Sequence, residues 1–281
     1  MSDTTDEIKN PAEISGEQPT GQVLEFAPRT EPAKAPRVLV IANQKGGVGK
    51  TTTSVNLSAC LAEAGFRVLL VDLDPQGNAS SGVGINTRDL ETSMYDVILH
   101  DAPMEDCIEP AEVKNLFVAP SNLDLAGAEI ELVPQFAREG RLKRAIESVL
   151  DDYDFVLIDC PPSLGLLTVN ALVAAREVLV PIQCEYYALE GLSQLMATIR
   201  LVRDRLNPDL EVNGFLLTML DPRTKLGGDV VREVESHFGD LVYRARVPRS
   251  VRLAEAPSHG ISIRSYAPGS SGAESYAQAA H

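Results

Sequence analysis

Between Asn43 and Thr53 the chain reads Asn-Gln-Lys-Gly-Gly-Val-Gly-Lys-Thr-Thr-Thr. Glycines let backbone N–H groups approach phosphate oxygens closely, and a helix starting there adds partial positive charge. In such a loop Lys50 reaches the β- and γ-phosphates of a nucleoside triphosphate, and the Thr51 hydroxyl serves Mg²⁺. Gly46, Gly47, Val48, Gly49 and Thr52 complete the cradle. Two other places carry matching chemistry: Val71-Asp72-Leu73-Asp74-Pro75-Gln76 and Ile158-Asp159-Cys160-Pro161-Pro162. An aspartate at the end of an apolar strand can hold the water shell of Mg²⁺, which suits Asp159. Asp74, just past its run, can orient an attacking water and accept its proton. Taken singly, each aspartate also suits a helix cap or a turn. Together, three strand ends with matching chemistry point to nucleotide hydrolysis.

These groups need rigid elements behind them. Short apolar runs predict strands over 37–43, 67–73, 115–119, 154–160, 177–182, 212–219 and 241–247. Most are continuous, as parallel strands buried on both faces must be. Helical patterns fit 50–65, 139–151, 165–175, 189–206 and 227–238, with Gly65 suited to end the first. Alternating strand and helix predicts one doubly wound, mostly parallel α/β domain over 37–281, with ligands beyond the carboxyl ends of the strands. Residues 86–114 read as surface loop with a short helix. Residues 1–36 hold seven acids, three bases and five prolines, and read as a disordered acidic tail.

The 281 residues carry a net charge of −15, which argues against a protein coated in nucleic acid. The charge is uneven: residues 241–264 hold five arginines against one acid, Glu255. Cys60, Cys107, Cys160 and Cys184 are scattered without C-x-x-C spacing, as expected of buried thiols in a reducing cytoplasm. The start lacks a signal peptide's basic and apolar regions, and no apolar run is long enough to span a bilayer.

The phosphate loop departs from G-x-x-x-x-G-K-[ST]: Gln44 stands at the first glycine position, and Lys45 precedes Gly46. That pattern resembles the deviant Walker A loop of P-loop NTPases. Together with Val68–Ala79, Asp159–Ser163, Gln183–Leu192 and Pro248–Ser258, it resembles the ParA/Soj chromosome-partitioning ATPases over about residues 38–275. The resemblance implies an ATP- and Mg²⁺-dependent sandwich homodimer in which Lys45 crosses to the partner's nucleotide. It implies that Lys50 and Thr51 hold phosphate and Mg²⁺, that Asp74 positions water, and that Asp72 and Asp159 support the metal. Pro248 to Ser250 would contact adenine, although Ser250 replaces a common Asn. It also implies binding to nonspecific double-stranded DNA through Arg223 and Arg252, with Lys225, Arg246 and Arg249 as neighbours. A ParB-like partner would stimulate hydrolysis, and the protein would sit on the nucleoid in the cytoplasm. Alternatives are a relative that positions a plasmid or another cargo and a membrane-positioning ATPase of the MinD type. The chain ends without the apolar face or basic residues that the latter needs. An iron–sulfur reductase would need interface cysteine ligands, which the scattered thiols do not supply.

Overall fold

The computed structural model describes residues 35–185 and 192–281. The tail expectation therefore falls, apart from its last two residues, outside the described residues. So do the middle of the 183–192 motif and the start of the helix expected from 189.

In chain order the elements begin with β1 (Arg37–Ile41), α1 (Lys50–Glu63), β2 (Val68–Asp72), α2 (Asn78–Ser81), α3 (Met94–His100), α4 (Met104–Cys107) and β3 (Glu109–Pro110). The middle of the chain forms β4 (Leu116–Ala119), α5 (Leu125–Glu131), α6 (Arg141–Glu147), β5 (Phe155–Asp159), α7 (Leu166–Ala174), β6 (Glu177–Gln183) and α8 (Leu192–Arg205). There follow β7 (Glu211–Leu220), α9 (Lys225–Phe238), β8 (Val242–Pro248), α10 (Val251–Glu255), α11 (Ile263–Tyr266) and α12 (Ser271–Ala280).

One eight-stranded sheet has the order β3-β4-β2-β5-β1-β6-β7-β8. Every pairing is parallel except β3 with β4. All seven predicted strands are present. The sheet is covered on both sides, so alternate strand residues serve two cores. Val38, Val40, Leu69, Val71, Val156 and Ile158 join a core with α3 and α5 to α9. Leu39, Ile41, Val68, Leu70 and Leu157 join a second core with α1, α11 and α12.

Three expectations need correction. Residues 86–114 are largely loop, as expected, but they hold two short helices rather than one, and these are anchored in the core. Met94, Ile98, Met104 and Cys107 are fully buried, and Ser93 and Asp96 form a capping box on α3. A seven-residue helix is too short to show a clear period. The helix expected over 139–151 is confined to α6, with single 3₁₀ turns on either side. The end of the chain does have an inward face. Ala273, Tyr276 and Ala277 on α12 are buried against α1 and β8. Small residues let the helix approach closely, so the face carried little hydropathy to read.

All four cysteines are free and buried. No helix among the described residues is long and apolar enough to cross a membrane.

Candidate functional site

The carboxyl ends of β1, β2, β5 and β7 meet on one edge of the sheet. The chain leaves β1 through Asn43, whose side-chain amide donates to Pro181 O (2.7 Å) and accepts from Lys45 N (3.0 Å). Gly47 (φ 72) and Gly49 (φ 87) then take left-handed conformations that an L side chain rarely adopts, and α1 begins at Lys50. The Thr218 hydroxyl on β7 donates to Val48 O (2.8 Å) and fixes the loop's far side.

Lys50 is buried, and its ammonium donates to Lys45 O (3.3 Å). Burial lowers its pKa, and the charge of Asp159 opposes that shift. Asp72 and Asp159 are directly paired in the register of β2 and β5, and both are fully buried. The Asp159 carboxylate accepts from Thr51 Oγ1 (2.8 Å) and Ser54 Oγ (2.7 Å). Asp72 accepts from Ser80 N (2.8 Å), Ser80 Oγ (2.7 Å) and Asp74 N (3.1 Å). Desolvation raises both pKa values; the charge of Asp72 raises that of Asp159 further, and the charge of Asp74 raises that of Asp72.

This donor set fits Mg²⁺. Among the described residues no three His, Cys, Asp or Glu side chains cluster to cage a metal. Mg²⁺ instead takes one or two carboxylates, a hydroxyl and phosphate oxygens, keeping several waters. Thr51 and Asp159 stand in that arrangement, with Asp72 one strand away.

A cavity of about 570 Å³ opens above the loop and is bordered by Gly46, Gly49, Lys50, Thr51, Asp74 and Pro162. Asp74 thus faces the space where a terminal phosphate would lie, and its carboxylate accepts from Gln76 N (3.0 Å). Beside it lies a narrower slot of about 200 Å³, walled by Met219, Val247, Pro248, Ser250, Leu253 and Tyr276. Gly49 and Thr52 border both spaces. The slot has the size and apolar lining of a nucleobase site, and the expected Pro248 and Ser250 border it. Lys45 does not border the phosphate cavity of its own chain. Among the described residues no carboxylate lies within ion-pair distance of its ammonium.

The segments that carry the expected DNA arginines are tied together by one backbone bond. Arg249 N donates to Leu220 O (3.0 Å), which joins the segment after β7 to the one before α10. Arg223 is 88% exposed and grips Asp221 in a bidentate pair (3.0 Å). That pairing pulls the Asp221 pKa down to about 2. Arg249 pairs with Glu185 (3.0 Å), Arg246 with Glu235, and Arg264 with Glu63 (2.8 Å). Arg252 and Lys225 are exposed. Among the described residues neither has a carboxylate within ion-pair distance. Exposed ion pairs of this kind contribute little to stability.

Sequence reasoning missed Asn43, Ser54, Ser80, Met219 and Tyr276. A weak signal existed for Ser54, one helical turn beyond Lys50 and thus on its face. Tyr276 carried none, because its hydroxyl meets Thr53 Oγ1 (3.2 Å) across 223 residues of chain.

A family model described as an AAA domain matches residues 36–212. The sporulation initiation inhibitor protein Soj of Bacillus subtilis is 61% identical over 240 residues, 85% of this chain and 95% of that protein. The chromosome partitioning protein ParA of Myxococcus xanthus is 54% identical over 85% of each chain. Among solved structures, a cobyrinic acid a,c-diamide synthase from Mycobacterium smegmatis with bound ADP and magnesium superposes with a TM-score of 0.77. It is 41% identical, over 87% of this chain and 92% of that one.

Proposed function

This chain belongs to the ParA/Soj chromosome-partitioning ATPases, and from that premise we propose that it is an ATP-gated, DNA-binding dimer that uses Mg²⁺. The observation that carries the proposal is the buried Asp72–Asp159 pair beneath Lys50 and Thr51. It sets two carboxyl groups as the floor under a cationic phosphate cradle.

In this reading Lys50 and the loop's backbone N–H groups bind the phosphates, and the slot from Met219 to Tyr276 takes the base. Thr51 and Asp159, with Asp72 behind, would hold Mg²⁺, which would supply positive charge to offset that developing on the phosphates. Asp74 orients a water in line with the terminal phosphate and accepts its proton. Lys45, which does not line its own cavity, reaches the nucleotide held by a second copy. There it stabilises charge in the transition state, so hydrolysis requires the dimer.

Two copies double the set of Arg223 and Arg252 into one surface that neutralises phosphates without reading bases. A ParB-like protein stimulates hydrolysis and releases the dimer from the nucleoid. Repeated capture and release moves the chromosomal origin region. A plasmid or another cargo would engage the same cycle.

The test is retention on nonspecific duplex DNA with ATP, ADP or no nucleotide across a salt series. Retention with ATP alone, falling steeply with salt, is expected. ATP hydrolysis without retention in any state would remove DNA from the cycle.

A further inference from the structure

The end of β7 is irregular where the two cavities meet. Leu217 pairs with Arg246 and Leu220 with Pro248, so β7 advances three residues while β8 advances two. The extra residue is a bulge, and within it Met219 has a φ of 52. That conformation suits Gly or Asn and is an outlier for a long side chain. The residues on either side are tied down. Thr218 donates to Val48 O (2.8 Å) and accepts from Cys184 N (3.0 Å), while Leu220 O accepts from Arg249 N (3.0 Å). The strain is therefore held in place by the phosphate loop, the end of β6 and the start of the base-slot wall. Bulges beside active sites commonly re-aim a side chain, and Met219 borders both the phosphate cavity and the base slot.

The slot's chemistry indicates what that aim achieves. Among the described residues no Asp, Glu, Asn or Gln borders it. Of its polar side chains, the Thr218 hydroxyl is donated to Val48 O, Tyr276 is engaged with Thr53, and Arg249 with Glu185. Among the described residues, recognition of a base therefore falls to backbone groups, the Thr52 and Ser250 hydroxyls and apolar contact. A thioether is polarisable and packs favourably on aromatic rings.

We propose that Met219 is a base-specificity residue that selects two-ring over one-ring nucleoside triphosphates. A purine spans the slot from the Pro248 and Leu253 wall to Met219, which sets the base's distance from the phosphate loop. A pyrimidine leaves Met219 without a partner and pulls the base or the phosphates out of register. This assignment rests on the nucleotide reading of the site.

The experiment is equilibrium displacement of a fluorescent ATP analogue by ATP, GTP and CTP, with the thermal midpoint of the nucleotide-free protein measured in parallel. Wild type should favour ATP and GTP over CTP. Met219→Gly should weaken ATP binding about tenfold and narrow the ATP-to-CTP ratio by a similar factor. Its midpoint should hold or rise, because glycine relieves the φ strain. Met219→Leu, which keeps apolar bulk, should remain close to wild type. A glycine variant with unchanged affinity and ratio overturns the assignment. So does one that loses ATP and CTP equally with a lowered midpoint, since that pattern marks a merely structural residue. Wild type that binds no nucleotide, or Lys50→Ala that binds it normally, overturns the reading of the site itself.

Discussion

Asp159→Asn should make the nucleotide-free protein more stable at pH 8 while removing its response to Mg²⁺-nucleotide. Asp72 and Asp159 lie opposite each other on neighbouring strands, which run about 5 Å apart. At an effective dielectric of about 20, two unit charges at that separation repel by roughly 3 kcal/mol. Both carboxyls have raised pKa values in the fold. Between the unfolded value and the raised ones, the folded pair therefore holds protons that the unfolded chain has released. Stability is then present at low pH and is lost as pH rises through the raised values. Asparagine removes one of the two charges. Its amide gives up an acceptor, but Thr51 and Ser54 both approach through hydroxyls, which can rotate to accept instead. The residual cost is about 1 kcal/mol. The net gain at pH 8 is then about 2 kcal/mol, or roughly 4–8 °C in a protein of this size. It should shrink toward pH 5, where the pair retains protons. The assay is thermal unfolding of wild type and variant from pH 5 to pH 8, with and without Mg²⁺-ATP. A variant less stable than wild type at pH 8, or a difference independent of pH, would refute the electrostatic reasoning. Asp72→Asn is the poorer probe, because two of its partners are backbone N–H groups that cannot turn to accept.

Lys50→Ala should weaken ATP binding by at least about a hundredfold, because the phosphates lose a buried charge-assisted donor; isothermal titration reads it directly. Asp74→Ala should retain the ATP-dependent dimer and abolish phosphate release. Hydrolysis at the wild-type rate would assign the water to another residue. Arg223→Glu or Arg252→Glu should lose DNA retention while keeping the dimer seen in sedimentation, and conservative removal of either charge should lower the salt slope by about one per contact. Tyr276→Phe should destabilise the fold by about 1 kcal/mol, measured by denaturant titration, since its buried hydroxyl meets Thr53.

The strands and the phosphate loop were legible because each is coded locally. Val68-Leu-Leu-Val-Asp72 is a continuous apolar run ending in an acid, and the structure buries all five residues. The aspartates were legible by type and position, but their mutual pairing was not. Strand order is a tertiary fact, and nothing within 68–72 or 155–159 states that β5 lies between β2 and β1. The short helices escaped for a different reason. Asn78–Ser81 and Ile263–Tyr266 span barely one turn each, too little to show a period. Their stability comes from what they touch, as with Ser80 on Asp72 and Ile263 N on the Asn56 side chain (2.7 Å). Met219 was illegible in principle. A methionine in a strand pattern predicts extended backbone, and only the paired neighbours on both sides force it elsewhere.

The wall that Tyr276 gives to the base slot bears on how the protein is made. On the ribosome Gly46–Thr53 emerges first, and the partner of Thr53 follows 223 residues later. At about 5–20 residues per second that is an interval of roughly 10–45 s. Throughout it the phosphate loop exists without the slot that would hold the base. Stabilisation by a bound ligand grows with its affinity for the folded form, so an unfinished chain receives little from cellular ATP and a finished one receives the full effect. Nucleotide would thereby distinguish finished folds from unfinished ones.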